Sequence, residues 1–259
     1  MTKPPVVLCL SGHDPTGGAG IQADIETLHR LGCHPATVVT ALTTQDTRNV
    51  TAIHPQDAAT FLQQARCVAA DLTIAAVKIG LLGSSELAFA CAELIAELPA
   101  VPVVLDPVLA AGGGSDLATK DLIESMRSVL LPRATVLTPN SPEARRLTGK
   151  TQLDECALSL LEAGCANVLI TGTHEENDRA RVVNRLYGTH ECLNWHWQRL
   201  PHNYHGSGCT LASAIAGYLA LGKPLPEAAF EAQEFTWNTL ANAYALGRGQ
   251  HLPNRATPV

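Results

Sequence analysis

Short apolar runs alternate with amphipathic helical patterns along almost the whole chain, and this alternation restricts the fold more than any other feature. Strands are expected at 6–10, 37–42, 74–79, 101–105, 135–138 and 168–171. Helices are expected between them at 21–31, 56–70, 84–98, 117–130, 141–147 and 153–163. The first helix places Ile21, Ile25 and Leu28 on one face and closes at Gly32. Residues 181–197 alternate as a hairpin turning at Gly188, and two helices, 208–221 and 225–245, end the pattern. Strand followed by helix, repeated, implies a mostly parallel sheet with right-handed crossovers. Aromatic residues are only 4% of the 259, so the core is built from Ala, Val, Leu and Ile, which suits strands buried beneath helices on both faces. There is no repeat, linker or charge block. Gly112-Gly113-Gly114-Ser115 is too short to link domains and reads as a mobile loop over a site, so residues 1–259 are expected to form one domain.

The formal charge of −6, without a basic stripe, argues against nucleic acid as a partner. No apolar stretch reaches the roughly 20 residues of a membrane span, and the opening Met1-Thr2-Lys3-Pro4-Pro5 is not a signal peptide. Eight cysteines lack a CxxC or any regular spacing, and most, such as Cys9, Cys91 and Cys165, sit inside apolar runs. A reduced, cytoplasmic protein is expected.

Chemistry concentrates at Gly206-Ser207-Gly208-Cys209, which runs directly into a helical pattern carried by Leu211, Ala214, Ile215, Tyr218 and Leu219. Glycines let the backbone approach a bulky anion. The first amides of the helix have no internal partner and lie at its positive end. The same field is expected to lower the pKa of Cys209. An anion hole beside a proton acceptor is what phosphoryl transfer to an alcohol requires. The alternative is a tight turn with no ligand.

Further polar groups gather where the expected strands end: Ser11-Gly12-His13-Asp14, Thr43-Thr44-Gln45-Asp46, Lys78, Asp106, Asn140 with Glu143, and Thr171. In open α/β sheets that edge binds ligands. Simpler readings stand beside each. Asp24 is a solvated charge in a first helical turn, Gln45 a loop amide, Asp106 a turn former before Pro107, and Lys78 a strand-end lysine. Asn140 and Glu143 have capping-box spacing.

Taken together, these segments resemble the ribokinase superfamily, and within it the hydroxymethylpyrimidine/phosphomethylpyrimidine kinases of thiamine synthesis. The resemblance is carried by residues 11–24, 39–47, 77–82, 105–108, 137–144 and 205–211, in the family's order. A cysteine at 209, where most ribokinase relatives carry aspartate, points to the pyrimidine and vitamin B6 kinase branch. The resemblance implies a three-layer α/β sandwich, ATP and Mg²⁺, a small-molecule pyrimidine alcohol as substrate, and a homodimer. It places Gly12, Asp24 and Gln45 on the pyrimidine, and Gly206, Ser207, Gly208 and Cys209 at the transferred phosphoryl group. Asn140, Thr171 and Lys78 fall on the nucleotide side, with Asp106 and Glu143 around the metal. Thr171 stands where relatives often carry a lysine, and His174, Arg179, Arg181 or Lys78 are candidates for the missing charge. A vitamin B6 kinase is the nearest alternative, and a non-catalytic nucleotide-binding regulator is a more distant one.

Overall fold

The computed structural model describes residues 3–175, 180–188 and 191–256. Among these residues nine strands form one sheet: β1 (Val6–His13), β2 (His34–Gln45), β3 (Val50–Pro55), β4 (Ile74–Ile79), β5 (Val103–Leu105), β6 (Val136–Leu137), β7 (Val168–Ile170), β8 (Arg181–Tyr187) and β9 (Cys192–Gln198). Their spatial order is β3-β2-β1-β4-β5-β6-β7-β8-β9. The six strands from β2 to β7 are parallel, while β3, β8 and β9 pair antiparallel at the two ends.

Among the described residues eight α-helices cover the sheet: α1 (Gly20–Arg30), α2 (Ala58–Asp71), α3 (Ser85–Glu97), α4 (Lys120–Ser125), α5 (Ser141–Thr148), α6 (Leu153–Glu162), α7 (Ser207–Ala220) and α8 (Leu225–Ala241). Successive strand residues face opposite layers. Val7, Cys9, Ala76 and Val104 therefore pack under α1, α7 and α8, through Leu28, Ala212, Ile215 and Phe235. Leu8, Leu10, Val77, Ile79 and Leu105 pack under α2 to α6, through Phe61, Leu87, Leu94, Leu122 and Leu160. This is the expected three-layer sandwich. No helix among the described residues is long and apolar enough to cross a membrane.

Several expectations needed correction. β1 and β2 run three residues beyond their expected ends, and β3 was not foreseen. The overhang of β2 pairs with β3, from Ala41↔Pro55 to Gln45↔Val50, around a turn closed by Asp46. The expected helix 117–130 begins at 120, where Thr119 Oγ1 accepts from the Leu122 amide at 3.2 Å. It loosens into a π-helical turn over Met126–Leu130 before Pro132. Pro102 delays β5 to Val103, and α8 stops at Ala241.

The chain order reverses at β1, which is flanked by β2 on one side and β4 on the other. A crevice is expected at the carboxyl end of such a switch point. β1 and β4 to β7 all deliver loops to that edge.

Candidate functional site

Continuing the β1 and β4 alternation, Ser11 and Lys78 point into the layer of α1 and α7, in step with Cys9 and Ala76. There the Lys78 ammonium, fully buried, lies 2.9 Å from Asp24 Oδ1 and donates to Ser11 Oγ at 2.9 Å. Ser213 of α7 donates to the same Asp24 oxygen at 2.6 Å. Burial alone lowers the Lys78 pKa, but Asp24, then Cys209 and Asp106, more than offset it and hold the lysine charged. Gly80 keeps this space open, since a Cβ there would stand 2.6 Å from Lys78 Nζ. Lys78, expected on the nucleotide side, is held in a buried ion pair with Asp24, expected on the pyrimidine side, and its charge is felt at Cys209 and Asp106. The second oxygen, Asp24 Oδ2, is buried without a hydrogen-bond partner among the described residues.

α7 opens on Gly206, a left-handed N-cap with φ +77°. It packs so closely on the first glycine loop that a Cβ would reach 1.9 Å from Gly18 O. Glycine has no side chain to cap the helix, so the amides of Ser207, Gly208 and Cys209 are left for a ligand. The Asp106 carboxylate faces this turn, 3.6 Å from the position of a Cβ on Gly208. Cys209 receives a hydrogen bond from the Gly20 amide, at the first residue of α1. Gly12 closes the same corner: a Cβ on Gly20 would come 2.2 Å from Gly12 O.

The expected low-pKa thiol is not found. Burial pushes Cys209 up to about 12; Lys78 pulls it down, and Asp106 and Asp24 push it further up. The helix terminus does not overcome burial beside two carboxylates. Asp106 is itself raised to about 6 by burial, against the pull of Lys78 and of a hydrogen bond from Cys209.

Asn140 and Glu143 form the complete capping box of α5. Asn140 Oδ1 accepts from the Glu143 amide at 2.9 Å, and Glu143 Oε2 accepts from the Asn140 amide at 3.0 Å. Glu143 does more than cap. Its Oε1 accepts from the Leu109 amide at 2.9 Å, and burial, then the Asp106 charge, push it up to about 7. The turn between these acids is strained, because Val108 has φ +42°, rare for a β-branched residue. Thr171 lies beside Asn140 in an isolated bridge, with Ser141 donating to Thr171 O at 3.0 Å.

Two cations that the sequence did not single out bind the loop after β7, and one is Arg145, bidentate to Glu175 at 2.7 and 3.0 Å. Arg199 donates to Thr173 O at 2.6 Å and to Glu175 O at 3.0 Å. His174 is pushed below its ordinary value by burial and then by Arg199. Arg179 lies outside the described residues, and Arg181 is exposed at the start of β8.

Gln45 ends β2, the strand beside β1. Its Nε2 donates to Thr43 Oγ1 at 2.8 Å, and it lines a cavity of about 350 Å³ with Pro15, Thr16 and Arg48. The glycine loop 110–115 lies close by: a Cβ on Gly113 would stand 2.2 Å from Arg48 O. Its base is held by Arg146, bidentate to Asp116 at 2.6 and 3.0 Å.

Asp14 and His205 join the two loops of the site. Asp14 accepts from the Thr16 and Ala19 amides at 2.8 Å each and pairs with His205 Nε2 at 2.8 Å. They bind the loop after β1 to the turn before α7. An aspartate two residues before threonine, an Asx-turn spacing, was the available signal.

The family model described as phosphomethylpyrimidine kinase matches residues 14–254. The hydroxymethylpyrimidine/phosphomethylpyrimidine kinase of Streptomyces coelicolor is 40% identical over 255 residues, covering 95% of this chain and 92% of that one. The thiamine biosynthesis bifunctional protein ThiED of Geobacter sulfurreducens is 40% identical over 249 residues, 94% of this chain and 50% of that longer protein. Among solved structures, the pyridoxal kinase of Staphylococcus aureus in complex with AMP-PCP and pyridoxal superposes with a TM-score of 0.88 at 27% identity, covering 97% of this chain and 93% of that one. A family match of this extent, on a ribokinase-like sandwich whose parallel strands deliver an open helix terminus and buried acids to one edge, leaves one assignment: the chain belongs to the phosphomethylpyrimidine kinase family.

Proposed function

We propose that the protein transfers the γ-phosphoryl group of ATP to the hydroxymethyl group of 4-amino-5-hydroxymethyl-2-methylpyrimidine, and then a second phosphoryl group to the monophosphate. The product is the pyrimidine diphosphate used for thiamine diphosphate. One observation carries this reading. The open N-terminus of α7 and the Asp106 carboxylate meet at Gly208, beside a buried Asp24 with one unpartnered oxygen. The Asp24 side chain is fully buried, so it serves here by holding Lys78 charged beside Cys209. Gln45, which both donates and accepts, suits the ring nitrogens from the cavity side.

Cys209 and Asp106 form the proton-handling pair. The thiol is held neutral and hydrogen-bonded to the carboxylate. In this reading the substrate hydroxyl gives its proton to Cys209 as the Cys209 proton passes to Asp106. Asn140 and Thr171, side by side, serve the nucleotide side. The Staphylococcus aureus neighbour binds AMP-PCP, which supports ATP as phosphoryl donor.

Asp106 and Glu143 fit a magnesium ion. They are buried hard-oxygen donors, and the charge of one raises the pKa of the other. Among the described residues no three His, Cys, Asp or Glu side chains form a metal-holding group. Mg²⁺ accepts this, because it keeps waters and phosphate oxygens and takes few carboxylates. When bound it offsets negative charge on the phosphates. Eight free thiols suit the reducing cytoplasm. A homodimer follows from the family resemblance and belongs to the same reading.

Pyridoxal kinase activity is the second reading, favoured by the pyridoxal-bound neighbour. Coupled ADP release measured on the pyrimidine alcohol and on pyridoxal separates the two. A kcat/KM at least tenfold higher for the pyrimidine is expected. A preference for pyridoxal overturns the assignment.

A further inference from the structure

We infer that Arg255, in the segment after α8, is a positioning residue that fixes the phosphoryl-binding turn of α7 against the loop that opens α1. This rests on the reaction proposed above. Arg255 is 3% exposed, and its guanidinium reaches three segments of the chain. Nη2 donates to Gly18 O at 2.5 Å, in the loop between β1 and α1. Nε donates to Thr210 Oγ1 at 2.9 Å, one residue after Cys209. Nη1 donates to Glu26 Oε2 at 3.0 Å, a carboxylate 54% exposed on α1.

Two of these contacts converge on the same joint. Thr210 Oγ1 donates to Gly206 O at 2.8 Å, so Arg255 holds the Gly206 turn through Thr210. Gly18 O is also the atom against which Gly206 packs, at 1.9 Å from a hypothetical Cβ. The guanidinium thus grips both sides of the seam between the first glycine loop and α7. On one side of the seam, α1 carries Asp24; on the other, α7 carries the phosphoryl-binding amides and Cys209. The Gly20 amide crosses it to Cys209. The arginine segment is anchored in turn: the Asn254 amide donates to Thr239 O at 3.0 Å, and the His205 amide donates to His251 O at 2.9 Å.

A planar fork with several fixed donors can hold a carbonyl and a hydroxyl at once; a lysine ammonium on a flexible stem cannot do so in this geometry. If the seam opens, each substrate is still bound by its own side, but the alcohol and the phosphoryl group lose alignment. A misplacement of about 1 Å can cost ~10²-fold in rate. The Glu26 contact lies at the solvent end and contributes little to alignment.

Three full-chain variants test this: Arg255→Lys, Thr210→Val and Glu26→Gln. Each is measured for kcat, for KM toward ATP and the pyrimidine alcohol, for Tm, and for AMP-PCP binding by calorimetry. Arg255→Lys and Thr210→Val should lose ~10- to 100-fold in kcat, with AMP-PCP affinity and both KM values within about threefold. Glu26→Gln should match the wild type. The inference is overturned if Arg255→Lys and Thr210→Val keep more than half of wild-type kcat, or if kcat follows Tm across all three variants. Should Arg255→Lys not fold, Thr210→Val decides by the same criterion. A wild type active on pyridoxal and inactive on the pyrimidine refutes only the substrate, and the variants are then compared on pyridoxal.

Discussion

At Lys78, burial and charge pull in opposite directions, and charge wins because Asp24 is 2.9 Å away. The pair links β4 to α1, with Ser11 of β1 and Ser213 of α7 completing it. Removing one partner strands a buried charge, which typically costs about 3–5 kcal/mol. Lys78→Met should therefore lower stability by about that amount in urea unfolding, and adding Asp24→Asn should recover part of it. An unchanged midpoint in the single variant would show that the pair does not hold the layers together. At Cys209, the raised thiol and the nearby Asp106 predict a shared proton. Cys209→Ala should reduce kcat by ~10²–10⁴-fold with ATP affinity nearly intact; retention of more than half of kcat would leave Asp106 as the base. With no metal bound, Asp106 and Glu143 are raised to about 6 and about 7, so Mg²⁺ binding, which needs both ionised, should tighten as pH rises through that window. A Mg²⁺ affinity that is flat or falls across it would contradict the ionised pair.

Elements that bury one regular face were legible, and elements made by pairing or strain were not. The helix 84–98 carries an apolar pattern and a serine cap, and it forms over Ser85–Glu97 with Ser84 capping. β3 is a short run whose apolar residues, Val50, Ala52, Ile53 and Pro55, follow no clean alternation, and it exists because β2 overhangs its parallel partner. The stretch 117–130 reads as one helix because its apolar spacing survives the π-helical turn at Met126. The triple glycine of loop 110–115 reads as flexible, and the structure docks it on Arg48 and near Gln250. As a lid it should close over the reacting groups and exclude water. A Cβ on Gly113 would stand 2.2 Å from Arg48 O, so Gly113→Ala is incompatible with the docked position. Gly112→Ala/Gly113→Ala should raise ATP hydrolysis relative to transfer, and amides of 110–115 should exchange more slowly once nucleotide and pyrimidine bind. Unchanged kinetics and exchange would make the loop plain surface.

Across the whole molecule, one continuous sheet places the strand ends that carry chemistry at the same edge. The edge was legible because polar residues followed each apolar run. The partnerships within it were not. Sequence spacing cannot show that Asp24 meets Lys78 across 54 positions, nor that Gly206 packs on Gly18. The missing lysine at Thr171 was visible, but Arg199 arrives from the end of β9, far along the chain. The central claim is that this edge moves phosphoryl groups onto a pyrimidine alcohol. The most direct measurement is mass spectrometry of the products after incubating the full chain with ATP, Mg²⁺ and 4-amino-5-hydroxymethyl-2-methylpyrimidine. The account predicts the pyrimidine monophosphate first and the diphosphate after it, with ADP formed in step. ATP and pyrimidine bound without any phosphorylated pyrimidine would contradict it.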